Sequence, residues 1–442
     1  MQNNLISRFK SKFSNDIHLK EILKGSSIAF LFRIIGMGLG YIFTFIIARW
    51  YGADTMGLFA LSVTILNIFV TVGIFGFDHS LVKFIADYNS NDKQYLVKEI
   101  YGKSLYITMP LTLILSISLY YNANFFAVTI FNSEALELFL QIIAFAITPF
   151  VLLRINAAVF RGLKNIKLYS LFQNVGIYLV SVVILLLVST QDYNSSITII
   201  AQCLAICVMM VFSFMYLKKH TYVFQIISTN MLKYKDVLKV SFPMLLTSSM
   251  ALVMGWTDII MLGVFTNQIE VGVYSVAVKL AAITSISLVA INTIAAPKFS
   301  ELYSKGDMEG LKCIAQSSTK MMLLSSLPII LGLALFPDFI LGIFGEDFKA
   351  GVNALWILLV GQFFHSICGS VGHILNMTGK QNIYYYITII AVIINLTLNY
   401  LLAEEYGMIG VALATISALI FLNITSMLYI NHKYKFLTIK LY

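Results

Sequence analysis

Of the 442 residues, 59% are hydrophobic and only 12% are charged, against roughly a quarter charged in soluble domains, so a water-soluble globular fold is excluded and the medium is a bilayer. The formal net charge of +9 reads as a membrane-topology signal and not as a nucleic-acid footprint. The four cysteines and six histidines show no metal-ligand spacing. No zinc signature, phosphate-binding glycine loop or nucleophile motif occurs. The loops are too short for a soluble catalytic domain, which argues against an enzyme and against any metal or cofactor.

The first 24 residues are basic and mixed. Over 5–24 they suit a helix lying on the membrane surface, with Leu5, Ile6, Phe9, Phe13 and Ile17 on one face. A flexible basic tail fits equally well, and the apolar run that follows is too long for a cleaved signal peptide. A bilayer core of about 30 Å takes about 20 apolar residues per helix, and twelve such stretches follow. Spans 1–6 are expected near 25–48, 57–77, 103–121, 136–157, 168–189 and 196–217. Spans 7–12 are expected near 240–264, 272–296, 319–336, 352–376, 383–403 and 407–430. This gives an interfacial segment 1–24, an N-lobe 25–217, a basic linker 218–239, a C-lobe 240–430 and a tail 431–442.

Lys and Arg crowd alternate loops: Lys83 to Lys103 after span 2, Arg154 to Lys167 after span 4, Lys218 to Lys239 after span 6, Lys298 to Lys320 after span 8. The opposite loops hold Arg49 and Lys349 against Glu134, Glu137, Asp192, Glu270, Glu404 and Glu405. The bias places both termini in the cytoplasm.

The two lobes repeat. Gly57, Phe59, Lys83, Phe84, Tyr88, Asp92 and Leu96 are matched 215 positions later by Gly272, Tyr274, Lys298, Phe299, Tyr303, Asp307 and Leu311. Six spans per lobe bring both lobes in with the same orientation, so the repeat is parallel, about an axis along the membrane normal. The expected fold is an all-α polytopic membrane protein, two six-helix lobes around a central cavity.

Ionisable groups inside spans are costly and tend to face such a cavity. Arg33 lies about two turns into span 1, with Gly36 and Gly40 following at i+3 and i+7 on the same face. It reads as an anion-binding group beside a groove cleared of side chains, or as a cation snorkelling to the headgroups next to a helix-packing stripe. Asp258 in span 7 and Lys279 in span 8 fall at matching depth. They read as a buried ion pair, either structural or broken and re-formed during transport. His365, with Gln362 one turn before it in span 10, reads as a proton carrier or a neutral interhelical hydrogen-bonding group. Asn174, Asn395 and Asn399 read as interhelical hydrogen-bonding groups.

The run Ala48-Arg49-Trp50-Tyr51-Gly52 leading to Met56-Gly57-Leu58-Phe59-Ala60 resembles the junction of the first two helices in Wzx-type O-antigen and capsule flippases. So do Phe160-Arg161-Gly162-Leu163-Lys164, and Asp258 through Leu262-Gly263 followed by Val271-Gly272-Val273-Tyr274. These flippases belong to the multidrug, oligosaccharidyl-lipid and polysaccharide exporter superfamily. The resemblance spans the whole chain. It implies movement of an undecaprenyl-pyrophosphate-linked oligosaccharide from the inner to the outer leaflet of the bacterial inner membrane. It implies a side opening between spans 1 and 8, which here carry Arg33 and Lys279, and a cation at Arg49 that receives the head group after flipping. It also implies coupling to Na+ or H+, with Asp258 and His365 as the ion-coupling candidates. Expected partners are the membrane, the lipid-linked glycan, a polysaccharide polymerase and glycosyltransferases. Two alternatives stand: a cation-coupled multidrug exporter of the same superfamily, and a non-transporting scaffold for glycan assembly.

Overall fold

The computed structural model describes residues 17–188, 194–220 and 232–439. The first sixteen residues, Asp192 and half of the linker lie outside them, and of the expected surface segment 5–24 only Ile17 onward is described, as the start of the helix Ile17–Ile74.

Among the described residues eight helices are long and apolar enough to cross a membrane, and a ninth span is a bent pair. Two of the eight are double. Ile17–Ile74 is broken at Gly52 (φ 82°, ψ 178°) and supplies spans 1 and 2. Gln381–Tyr434 is broken at Gly407 (φ 52°, ψ −133°) and supplies spans 11 and 12. A β-carbon resists positive φ, so glycine stands at both breaks. Spans 3, 4 and 6 are Gln94–Tyr121, Glu134–Gly162 and Ile197–His220. Span 5 runs from Ile166 to Val188 through a π-turn at Leu171–Val175. Span 7 is Tyr234–Phe265 and span 9 is Met308–Leu335. With these, ten of the twelve expected stretches are placed, and spans 8 and 10 remain.

Two spans expected as single rods are broken. Span 8 divides into Gln268–Ala282 and Ser285–Ser304, bent by 42°. At the break Ile283 and Thr284 donate their backbone N–H to Leu280 and Ala281 at i−3 spacing, and the Thr284 hydroxyl also takes the Ala281 carbonyl. A β-branched pair followed by serine competes with the helical ladder there. Span 10 divides into Val352–Cys368 and Val371–Met377 at Gly369 (φ +70°).

Large apolar side chains such as Ile114, Phe145, Leu187, Leu335 and Phe339 are exposed on the outside, a surface that lipid covers and water does not tolerate. The last turn of span 12 is followed by a segment that tucks back into the C-lobe. Phe436 is buried, Gln316 donates to the Leu437 carbonyl (3.0 Å) and Thr438 to that of Cys368 (2.8 Å). At the start of span 7, the backbone of Leu232 is gripped by span 3. Its N–H donates to Glu99 Oε1 (2.8 Å), its carbonyl accepts from Lys103 Nζ, and Glu99 and Lys103 pair at 3.3 Å.

The lobes meet through repeat-related positions. A β-carbon on Gly57 would lie 1.8 Å from the Gln268 carbonyl oxygen, and one on Gly272 would lie 2.0 Å from that of Ala53. Gly57 and Gly272 are 215 residues apart in sequence, and so are Ala53 and Gln268. The contact is therefore reciprocal and sits on the pseudo-two-fold axis, where backbone touches backbone and only glycine fits.

Candidate functional site

Away from that axis contact the two repeat-related seams differ. Between span 7 and the helix Phe77–Ser90 that continues span 2 past Gly76, the seam is closed. Ser80 and Ser241 hydroxyls share a buried hydrogen bond (2.7 Å), and the rings of Phe75 and Phe242 lie 5.8 Å apart. A β-carbon on Gly76 would come within 2.2 Å of the Ser241 carbonyl oxygen. The counterpart seam, between spans 1 and 8, holds a cavity of about 250 Å³. Phe30, Arg33, Ile34 and Met37 wall it from span 1; Ala282, Ser285, Ile286 and Val289 wall it from the break in span 8. Phe30 is the repeat counterpart of Leu245, which sits in the closed seam.

Arg33 is exposed into this region, and its cavity neighbours recur at i−3, i+1 and i+4, one face of span 1. The glycine stripe faces elsewhere. A β-carbon on Gly36 would meet the Asn174 carbonyl oxygen at 2.3 Å, and one on Gly40 would meet the Tyr178 ring at 3.6 Å. Gly36 and Gly40 therefore let span 5 pack closely on span 1, and the expected groove of glycines beside Arg33 is replaced by a pocket shared with span 8.

Lys279 does not pair with Asp258. Its ammonium donates to Thr44 Oγ1 at 2.7 Å, and its backbone carbonyl accepts from the Tyr41 hydroxyl at 2.6 Å, so it stitches span 8 to span 1. The reason is angular. Tyr274, which faces Asp258, precedes Lys279 by five residues, about 140° around the helix. Matching depth was legible in the sequence; facing was not. Thr44 follows Arg33 by eleven residues, a rise of roughly 16 Å and a turn of only about 20°. Arg33 and Lys279 thus mark two levels of one seam.

Arg49 is exposed, about 160° around span 1 from Arg33 and roughly 24 Å along it, so the structure does not bring it onto that face. His365 is half-buried in the last turn before the span 10 break; its carbonyl caps Gly369 (3.0 Å), and among the described residues its ring has no hydrogen-bond partner.

Asp258 is 4% exposed and accepts four hydrogen bonds, all from neutral donors. They come from Thr415 Oγ1 (2.5 Å), Asn399 Nδ2 (2.9 Å), Tyr274 OH (3.1 Å) and Asn395 Nδ2 (3.3 Å). No cation accompanies it among the described ion pairs. The Oδ1 atoms of Asn395 and Asn399 are buried without a partner. A half-turn of either amide would add an oxygen to a set already made of carboxylate, hydroxyl and phenol oxygens, the ligands of a hard cation. Tyr274, Asn395, Asn399 and Thr415 were not singled out from the sequence as a site. The signal was there: two asparagines at i and i+4 on one face of an apolar span.

Comparison with known proteins follows the same lines. The chain is 30% identical over 186 residues to the probable low-salt glycan biosynthesis flippase Agl15 of Haloferax volcanii, covering 42% of this chain and 39% of that one. It is 31% identical over 169 residues to the uncharacterized membrane protein MJ1068 of Methanocaldococcus jannaschii, covering 38% and 33%. The matched stretches thus span between a third and two-fifths of these relatives. Among solved structures it resembles the lipid II flippase MurJ in an inward closed conformation (TM-score 0.74, 17% identity, 92% of this chain and 87% of that one). It also resembles a multidrug resistance MATE family transporter of the MOP superfamily in its inward-facing conformation (0.75, 16%, 92% and 98%). The outward-facing conformation of such a transporter scores 0.63 at 16% identity, over 93% and 96%. The fold is therefore that of MOP-superfamily transporters, two lobes about a central axis. The MatE family matches residues 243–401, and across residues 22–303, nearly two-thirds of its length, the chain belongs to the family described as polysaccharide biosynthesis protein.

Proposed function

We propose that this protein flips a lipid-linked oligosaccharide, carried on undecaprenyl or a related polyprenyl pyrophosphate, from the inner to the outer leaflet by alternating access. The observation that carries this reading is the inequality of the two seams. One is latched by Ser80, Ser241 and Gly76; its repeat counterpart holds a cavity with Arg33 at one level and Lys279 at a deeper one. A polyprenyl tail needs a lateral exit into lipid, and a pyrophosphate needs cations along the path its head group takes. The glycan-flippase relative and the family match support the same class of cargo. An O-antigen or capsule repeat unit, a polymerase and glycosyltransferases as partners, and a bacterial inner membrane with both termini cytoplasmic complete the proposal.

Asp258 is the proposed coupling site. A carboxylate buried among neutral donors is costly unless a proton or a metal cation joins it, and the two partnerless Asn oxygens favour Na+. No contact of His365 favours it over Asp258 for this role.

The deciding experiment is flipping in reconstituted vesicles. Fluorescent polyprenyl-pyrophosphate oligosaccharide should cross only in vesicles that contain the protein, faster with an imposed Na+ gradient. The second reading, cation-coupled drug export, draws on the MatE match over the C-lobe. It predicts efflux of an organic cation such as ethidium and no glycolipid movement, the reverse outcome. Protein-independent crossing of both probes would return the chain to a scaffold role.

Topology has its own check. Cys313 is exposed in the first turns of the span 9 helix, on a Lys-rich stretch. A membrane-impermeant maleimide is expected to label it in inside-out vesicles and not in intact cells; labelling in intact cells would reverse the orientation.

A further inference from the structure

We propose that Gln362 is a recognition residue for the sugar attached to the pyrophosphate, an assignment that rests on the lipid-linked glycan reading above. At the break in span 8 two consecutive hydroxyls face span 10. Gln362 Oε1 lies 3.2 Å from Ser285 Oγ and 3.2 Å from Thr284 Oγ1, and the Thr284 proton is shared with the Ala281 carbonyl at 2.7 Å. Thr284 is fully buried, so this side of the amide is fixed. Gln362 itself is half-buried, and its Nε2 donates to no group among the described residues. Two N–H donors are therefore held in one orientation with no acceptor among the described residues.

Ser285 connects this amide to the Arg33 pocket, because it also lines that cavity. Both helices around this amide are poor in charge: Val352–Cys368 contains no Lys, Arg, Asp or Glu, and neither does span 8 between Lys279 and Lys298. The Arg33 guanidinium faces the cavity from span 1 and the Ser285 hydroxyl from span 8, with the Gln362 amide directly behind that hydroxyl, which makes a two-part surface. The guanidinium suits a phosphate. Neutral groups that both donate and accept suit the hydroxyls of a sugar ring, which offer lone pairs and protons from the same atoms. Anchoring the Gln362 carbonyl removes rotamer freedom that binding would otherwise have to freeze. These two hydroxyls meet Gln362 at the break in span 8.

Purified full-length protein in lipid nanodiscs, titrated with two probes, tests the assignment. One probe is a polyprenyl pyrophosphate without sugar; the other is the same lipid bearing one N-acetylhexosamine. Gln362→Leu is expected to weaken the sugar-bearing lipid about tenfold and the bare lipid by less than about twofold, the loss of one hydrogen-bonding group against an unaffected phosphate contact. Ser285→Ala, which removes one anchor without touching the amide, should give a smaller loss in the same direction. Equal weakening of both probes, or no weakening of either, overturns the role of Gln362 while leaving the cargo reading in place. Wild-type protein that binds neither probe overturns the cargo reading itself and this assignment with it.

Discussion

Arg33→Ala is expected to abolish glycolipid flipping while leaving the amount of protein in the membrane unchanged. The residue is exposed at the span 1 and span 8 cavity and, among the described residues, holds no partner whose loss would destabilise the lobe. Removing it takes away the only charged side chain among the described residues that line the cavity. A charge-assisted contact of this kind contributes about 1.5–3 kcal/mol, equivalent to a loss of about ten- to a hundredfold in binding. Arg33→Lys separates two versions of the role. A point charge would preserve much of the rate, whereas bidentate recognition of a phosphate would not. Normal flipping by the alanine variant would return Arg33 to snorkelling.

The second large effect is expected at Asp258. Asp258→Asn keeps a polar group of the same shape among Thr415, Tyr274, Asn395 and Asn399 but removes the charge, so the protein should fold and lose its cation dependence. The measurement is the flipping rate against Na+ concentration at fixed pH, and then against pH at fixed Na+. Wild type should saturate with Na+; the Asn variant should be flat and slow. Thr415→Val, which deletes the shortest of the four hydrogen bonds, should raise the half-saturating concentration about tenfold. An Asn variant that still responds to Na+ would make the cluster a structural hydrogen-bond node. A wild-type response to pH alone would identify the coupling ion as a proton.

The twelve spans and their duplication were legible because they rest on features that survive any packing: apolar length and a constant 215-residue offset. Arg33 was legible for the same reason, as a costly charge in an apolar stretch. What could not be read was which way side chains face. Asp258 and Lys279 share a depth, yet five residues of helix beyond Tyr274 turn Lys279 toward Thr44. Gly36 and Gly40 signalled close packing, but the sequence does not say that the close neighbour is span 5 and that the open side belongs to span 8. The breaks at Ile283–Thr284 and Gly369 were hidden inside unbroken apolar runs. Asn395 and Asn399 were visible only as hydrogen-bonding groups until the fold supplied Asp258 from a helix more than a hundred residues away.

The reciprocal touch of Gly57 on Gln268 and of Gly272 on Ala53 carries a record of descent. Such self-matching patches belong to homodimers, where one surface must recognise its own copy. Two half-length ancestors, each with a glycine at this place, would have paired through it before their genes were joined. Fusion then released the rest of the interface from having to be the same on both sides. One seam is closed through Ser80 and Ser241; the other holds a cavity beside Arg33. A strictly symmetric dimer would have to close both seams or neither; the joined chain closes one.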